Sequence, residues 1–166
     1  MSTPANSPKL KVASIQMVST PNLQENLSTA SRLIGAAAAD GAQLAVLPEY
    51  FCLMGLKDTD KVSARESIGS GPIQEQLSQI AKQNKLHLVA GTIPLEARDP
   101  NKVLNTTLVF DPAGQQITRY DKIHLFGFQT ATERYQESET IEAGNEPGIL
   151  KISVDGNDWT FGLSIC

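Results

Sequence analysis

A short apolar run, Leu44–Leu47, contains no polar side chain and ends directly in the pair Pro48-Glu49. Strands without polar alternation are buried on both faces, as is typical of the inner parallel strands of a layered α/β sheet. Segments with helical periodicity precede and follow this run. Leu44–Leu47 therefore predicts an α/β fold in which this strand lies inside the sheet.

Periodicity and turn residues predict the other elements in the order strand, helix, strand, helix and then mostly strands. Asn22 caps the first helix, with Glu25 three residues on, and Gly41 ends it. Two hairpin turns, Asp111–Gly114 and Asp155-Gly156, separate the later strands. The other predicted elements are strands Lys9–Met17, His87–Ile93, Leu104–Phe110, Gln115–Lys122, Gly148–Val154 and Trp159–Cys166, a helix from Pro72, and a loop with one short helix at Gly127–Asn145. This order predicts an α/β layered domain with a mixed sheet.

Composition excludes several classes of partner. The 166 residues suffice for one domain, and the net charge of −4 with no basic run argues against nucleic acid or an acidic membrane surface. Cys52 and Cys166 make neither a disulfide framework nor a metal-type spacing. No apolar run approaches the roughly 18 residues of a membrane span, and residues 1–8 lack the apolar core of a secretion signal. We expect a soluble protein of a reducing cytoplasm, with residues 1–8 as a disordered leader.

Glu49 closes the apolar run at the carboxyl end of its strand, where open α/β sheets bind ligands. A carboxylate at such a position is partly removed from water, which makes it a usable base near neutral pH. The alternative is a structural glutamate that pairs with a lysine or caps the next segment.

Lys122 ends the predicted strand Gln115–Lys122, directly before Ile123-His-Leu-Phe126. A fixed ammonium at a strand end can stabilise a developing oxyanion and can keep a neighbouring carboxylate ionised. Taken alone, the position favours an ordinary edge-strand lysine that points to water.

Cys166 ends the last predicted strand. A thiol of ordinary acidity is mostly protonated at neutral pH, so it needs a base or a cation to act as a nucleophile. Glu49 and Lys122 supply both if the fold brings them together. Two alternatives stay open: a buried inert thiol, and a thiol enzyme that uses His124 as base, because His124 would share the strand face of Lys122. His87 opens an apolar strand and is predicted to be structural.

Three segments, taken in order, resemble the signature regions of the nitrilase superfamily of carbon–nitrogen hydrolases. These regions are an apolar strand ending in Pro-Glu, a Tyr-x-Lys-x-His-Leu segment, and a glycine-containing strand ending in the nucleophilic cysteine. The matching segments are Leu47-Pro48-Glu49, Tyr120-Asp-Lys122-Ile-His-Leu125 and Gly162-Leu-Ser-Ile-Cys166. The similarity extends from Val12 to Cys166, and it implies catalytic roles for Glu49, Lys122 and Cys166.

The segment Tyr135-Gln-Glu137-Ser138 resembles the amidase branch that includes ω-amidase and deaminated-glutathione amidase. This likeness makes Glu137 the second glutamate of the site, which holds the lysine and helps to position substrate; the alternative is one more solvated acid. The resemblance also implies a four-layer α-β-β-α sandwich, of which residues 1–166 are the N-terminal portion of a single domain. It implies a homodimer or larger homo-oligomer, and no metal or organic cofactor.

The implied reaction is cysteine-dependent hydrolysis of a non-peptide C–N bond in a small linear amide, through a thioester, with release of ammonia and a carboxylic acid. Nitrile and N-carbamoyl hydrolysis are alternatives within the family, and a catalytically silent α/β module acting through oligomer contacts is an alternative outside it. We expect the loops Met54–Lys61 and Gly127–Arg134 to set the choice of substrate.

The family continues past its cysteine with an aromatic residue, an aspartate, a helix and further strands. Its oxyanion hole combines the lysine with the backbone N–H that follows the cysteine. We therefore expect the 166 residues, expressed alone, to be insoluble or inactive.

Overall fold

A five-stranded mixed sheet organises the computed structural model, which describes residues 7–166. The first three strands run parallel to one another, and the last two are antiparallel additions at one side. In spatial order the strands are β1 (Val12–Ser14), β2 (Leu44–Val46), β3 (His87–Glu96), β4 (Val103–Phe110) and β5 (Gln116–Asp121). This is the mixed sheet that the sequence predicts, with the apolar run in its interior.

Two helices cover one face of this sheet. Helix α1 (Leu23–Ala39) begins as predicted, because the Asn22 side chain accepts a hydrogen bond from the backbone N–H of Glu25 at 3.1 Å. A single turn, α2 (Asp60–Ser63), precedes helix α3 (Pro72–Asn84), which has proline in its first turn. The apolar sides of α1 and α3 pack on the sheet as one buried cluster.

A two-stranded antiparallel sheet packs on the opposite face. Its strands are β8 (Gly148–Val154) and β9 (Asn157–Leu163), joined by a tight turn in which both Asp155 and Gly156 have left-handed backbone conformations. Apolar side chains of both sheets form a second cluster: Leu44, Val89, Val109, Leu150 and Ile152. Residues 7–166 therefore supply the layers α, β and β of the expected four-layer sandwich.

Several predicted boundaries are wrong. Residues Gly127–Asn145 are not only a loop, because they contain the hairpin β6 (Gly127–Gln129) and β7 (Arg134–Gln136) before a 3₁₀ turn at Glu137–Glu139. The last strand ends at Leu163 instead of Cys166, since Leu163 pairs with Gly148 at the first residue of β8.

The first two strands are shorter than predicted because each contributes only three paired residues. Of the predicted leader, residues 1–6 lie outside the described residues, and Ser7 and Pro8 are exposed without regular structure. No helix within residues 7–166 combines the length and apolar character needed to cross a membrane.

Candidate active site

The turn that holds Glu49 fits against an irregularity in β3. The pairing of β3 with β4 changes register around Gly91, whose φ is +22°. A Cβ at Gly91 would collide with the backbone carbonyl of Pro48, so glycine allows the turn to approach the sheet. Thr92, the next residue, accepts a hydrogen bond at its Oγ1 from the backbone N–H of Tyr50 at 2.8 Å. The bulge in β3 therefore sets the position of Glu49.

Lys122 lies between two carboxylates. Its Nζ is 3.0 Å from Oε1 of Glu49 and 2.9 Å from Oε2 of Glu137. The Lys122 side chain is 1% exposed, that of Glu137 is 5% exposed and that of Glu49 is 27% exposed. Asn105 on β4 connects the same groups, because its carbonyl accepts from the Lys122 backbone N–H at 2.9 Å and its side chain donates to Glu49 Oε1 at 2.9 Å. The sequence-predicted residues Glu49, Lys122 and Glu137 therefore lie together.

Glu137 is held by donors from three separate segments. Besides Lys122, its Oε1 accepts from the hydroxyl of Tyr50 at 3.0 Å, and its Oε2 accepts from the backbone N–H of Phe126 at 2.7 Å. The backbone N–H of Glu137 in turn donates to the carbonyl of Phe126 at 2.9 Å. The hairpin β6–β7 thus brings Glu137 back to Lys122, which lies directly after β5.

The charged groups of this cluster stabilise the ionised forms of one another. Burial favours the neutral amine of Lys122, but hydrogen bonds and charge from Glu137 and Glu49 outweigh it and raise the pKa of Lys122. Burial also disfavours ionised Glu137, yet the donors from Phe126, Lys122 and Tyr50 lower the pKa of Glu137 below its usual value. Lys122 is therefore an ammonium and Glu137 a carboxylate at neutral pH.

A cleft of about 380 Å³ between the two sheets is lined by both Glu49 and Cys166. Its wall also includes Thr92, Thr107 and Leu150, from both sheets. The chain reaches the cleft through an irregular segment after β9, so Cys166 is exposed and does not close a strand, contrary to prediction. Of the three charged groups, Glu49 is the one that faces this cleft.

The other candidate residues lie apart from the charged cluster. His124 follows the end of β5 and is exposed, so the predicted strand face shared with Lys122 does not exist. His87 is buried at the start of β3, and burial lowers its pKa. Cys52 is also buried, which raises its pKa to about 12. Within residues 7–166, no group of three or more His, Cys, Asp or Glu side chains is arranged to hold a metal ion.

The sequence pattern of the carbon–nitrogen hydrolase family matches residues 11–166. The chain belongs to this family. It is 36% identical over 157 residues to a deaminated glutathione amidase of Synechocystis sp., covering 93% of this chain and 56% of that protein. It is 37% identical over 159 residues to an omega-amidase of Xenopus laevis, covering 95% of this chain and 55% of that protein.

Carbon–nitrogen hydrolases of known structure share the fold. Nit3 of Saccharomyces cerevisiae, a member of branch 10 of the nitrilase superfamily, aligns with a TM-score of 0.76 at 29% identity over 95% of this chain and 55% of that chain. An amidase from Nesterenkonia sp. aligns with a TM-score of 0.72 at 22% identity, over 91% and 54%, and shows the fold alone. The resemblance to the nitrilase superfamily is confirmed. The chain spans about half the length of the curated relatives that it matches.

Two residues of the candidate site were missed by sequence reasoning. Asn105 connects Lys122 to Glu49, and its signal was an amide side chain within the otherwise apolar and hydroxyl-bearing strand β4. Tyr50 contacts Glu137, and its only signal was its place next to Glu49.

Proposed function

We propose that this chain carries the active site of an amidase that hydrolyses the non-peptide C–N bond of a small linear amide, with release of ammonia and a carboxylic acid. One observation carries the proposal: the buried Lys122 ammonium contacts Glu49 at 3.0 Å, and Glu49 lines the same cleft as Cys166. Membership of the carbon–nitrogen hydrolase family supports the reaction class. The names of the similar proteins favour amide over nitrile or N-carbamoyl hydrolysis.

In the proposed first half-reaction, Glu49 accepts the thiol proton of Cys166 and the thiolate attacks the amide carbonyl carbon. A C–S bond forms, and the carbonyl oxygen becomes an oxyanion. Protonated Glu49 then donates its proton to the amide nitrogen, the C–N bond breaks, and ammonia leaves the acyl-enzyme.

In the second half-reaction, Glu49 takes a proton from water and the hydroxide attacks the thioester carbonyl. The C–S bond breaks, the carboxylic acid is released, and the proton returns to the sulfur of Cys166. One glutamate therefore serves as base and acid in alternation, which suits a carboxylate that is half-buried at a cleft wall.

Lys122 and Glu137 have supporting roles in this proposal. Because its pKa is raised, Lys122 remains a cation, which stabilises the oxyanion and cannot serve as the base. Glu137 holds Lys122 in place from the side opposite Glu49, and it is itself fixed by the backbone N–H of Phe126.

We extend the proposal to the substrate and the assembly. The names of the similar proteins, deaminated glutathione amidase and omega-amidase, support a monoamide of an α-keto or dicarboxylic acid as substrate. Because the family match reaches from residue 11 to residue 166 and the chain spans about half of its relatives, we propose that residues 1–166 form the N-terminal portion of one catalytic domain. We also propose that the protein is cytoplasmic and forms a homodimer or larger homo-oligomer.

The test is ammonia release from small amides by the full-length protein. Glu49→Gln and Cys166→Ser should each abolish it, since one removes the base and the other the nucleophile. The matched control is His124→Asn, which should keep most of the activity because His124 is exposed and outside the charged cluster.

Mass spectrometry of the protein during turnover gives an independent measurement. The acyl group of the amide should appear on Cys166 in the wild type and should be absent from Cys166→Ser. Loss of activity in His124→Asn would indicate a cysteine–histidine enzyme instead. No acyl adduct and no ammonia with any amide would indicate the catalytically silent module.

A further inference from the structure

Tyr50 follows Glu49 in the chain, yet its side chain donates a hydrogen bond to Glu137. Its backbone φ is +56°, in the left-handed region that bulky side chains rarely adopt. Strain of this kind persists only where surrounding contacts enforce it, and such positions cluster at functional sites.

Three contacts from different segments enforce the conformation of Tyr50. Its backbone N–H donates to Thr92 Oγ1 at 2.8 Å, and its hydroxyl donates to Glu137 Oε1 at 3.0 Å. The Nζ of Lys61 lies 5.6 Å from the centre of its ring, within range of a cation–π contact. The strained backbone therefore aims the phenol at one carboxylate oxygen.

That oxygen is the point at which two donors meet. Glu137 Oε1 accepts from Tyr50 and, at 3.0 Å, from Lys122 Nζ. Lys122 is shared with Glu49, so the two carboxylates compete for one ammonium. A donor that stabilises the negative charge on Glu137 weakens the attraction between Glu137 and Lys122. The contact between Lys122 and Glu49 becomes correspondingly stronger.

We propose that Tyr50 is a positioning residue. Its hydroxyl stabilises ionised Glu137 and thereby sets the relative strength of the Lys122 contacts with Glu137 and with Glu49. Burial, followed by the charge of Glu137, raises the pKa of Tyr50, so the phenol remains a neutral donor across the working pH range. The consequence for reaction rate rests on the proposed function, whereas the effect on Glu137 does not.

The direction of the effect follows from the hydrogen bond. The Tyr50 hydroxyl lowers the pKa of Glu137, so Tyr50→Phe should raise it. The charged or titratable groups that face this pair are Glu49, Lys122, Lys61, Tyr135 and, beside Tyr135, Asp58. All of them remain in Tyr50→Phe, which deletes one oxygen and keeps the ring.

The first measurement is the pH profile of kcat/KM for amide hydrolysis by the full-length protein. In Tyr50→Phe the acid limb should move to higher pH. Glu137 becomes protonated at a higher pH than in the wild type and then no longer holds Lys122 in place. We expect kcat at the optimum to fall on the order of tenfold, with KM changed less than twofold, as for a catalytic group that is misplaced and not removed. The matched control is Tyr120→Phe: Tyr120 is buried on β5, and its hydroxyl makes no side-chain hydrogen bond within residues 7–166.

The second measurement does not need activity. Carbon-13 NMR of glutamate side-chain carboxyls, with the Glu137 signal assigned by its loss in Glu137→Gln, should show a higher pKa for Glu137 in Tyr50→Phe than in the wild type. Tyr50→Asn should show the same rise, because asparagine tolerates the left-handed backbone but lacks the phenol.

These two measurements separate the proposals. If the wild type hydrolyses no amide, the proposed function fails and the Glu137 titration still decides the role of Tyr50. An unchanged Glu137 titration in both Tyr50 variants overturns the inference. So does a fall in kcat with an unmoved acid limb, or an equal shift in Tyr120→Phe, since each indicates a structural effect only.

Discussion

At the residue scale, the site depends on one ammonium that two carboxylates share. Lys122 is 1% exposed, so it could not remain charged without Glu49 and Glu137 within 3.0 Å. Removing one member of a buried ion cluster costs more than the pair contributes, because the partner keeps its charge without compensation. Replacing any one of these three residues alone should therefore destabilise the fold as well as disturb the candidate site.

The pH dependence of stability should show the contribution of Glu137. Its pKa in the folded protein lies below the value of about 4.3 for an unfolded glutamate, so the unfolded state binds more protons between the two pKa values. The contribution is complete above about pH 4.3 and is lost as pH falls through the folded pKa. Urea titrations from pH 7 downward should give a smaller acid loss for Glu137→Gln than for the wild type.

At pH 7 the same variant should be less stable by roughly 1.5–3 kcal/mol, the value of hydrogen bonds to a charged group. Glu139→Gln is the matched control, because Glu139 pairs with Arg134 at 3.2 Å with both side chains 62% exposed. Such a surface pair contributes little, and its loss should stay within about 0.5 kcal/mol at pH 7. An acid loss in Glu137→Gln equal to that of the wild type would contradict the prediction.

Sequence reasoning located the charged residues but not their neighbours. Glu49, Lys122 and Glu137 were predicted from strand ends and motifs, and the structure brings them into contact, while their catalytic roles remain predictions. Tyr50 was missed because its partner is 87 residues away and its left-handed backbone depends on the bulge in β3. Contacts between distant residues that depend on an irregular backbone cannot be predicted from the local sequence pattern.

At the element scale, the bulge in β3 connects the sheet to the site. Gly91→Ala would place a methyl group against the backbone carbonyl of Pro48 and 2.9 Å from the Phe51 ring. We expect a loss of about 1–3 kcal/mol from overpacking, together with reduced amide hydrolysis as the Glu49 turn moves. Thermal unfolding and the ammonia assay measure the two effects.

The control for Gly91→Ala is Gly156→Ala in the β8–β9 turn. Gly156 has a φ of +74°, but nothing lies within 4 Å of an added Cβ. Its cost should be only the backbone strain of about 1–2 kcal/mol, with activity retained. If both variants retain activity, the bulge does not position Glu49.

Element prediction succeeded where local signals were strong. Helix α1 was defined by its Asn22 cap, and the β8–β9 hairpin by Asp155-Gly156. The hairpin β6–β7 was missed because each of its strands has three residues and no alternation of apolar and polar side chains. Directly after the hairpin, Glu137 contacts Phe126 and Lys122, and these contacts leave no periodic pattern in the sequence.

At the scale of the whole molecule, two apolar clusters hold the three layers together. One lies between the helices and the five-stranded sheet, and the other lies between the two sheets. The burial pattern of β8 reflects the second contact, since Gly148, Leu150 and Ile152 are buried and the residues between them are exposed. The same interface forms one wall of the cleft, so packing between the sheets and the shape of the site are coupled.

Adjacent residues of β8 offer a direct test of that coupling. Leu150 is 1% exposed, belongs to the cluster between the sheets and lines the cleft, whereas its neighbour Ile149 points outward and is 58% exposed. Leu150→Ala should destabilise the full-length protein by about 2–5 kcal/mol and alter KM for the amide, because it leaves a cavity at the cleft wall. Ile149→Ala should leave KM unchanged, because Ile149 lies on the face of β8 that points away from the cleft. Steady-state assays decide, since an equal change of KM in the two variants would contradict the placement of Leu150 at the cleft wall. Urea unfolding measures the cost of the cavity.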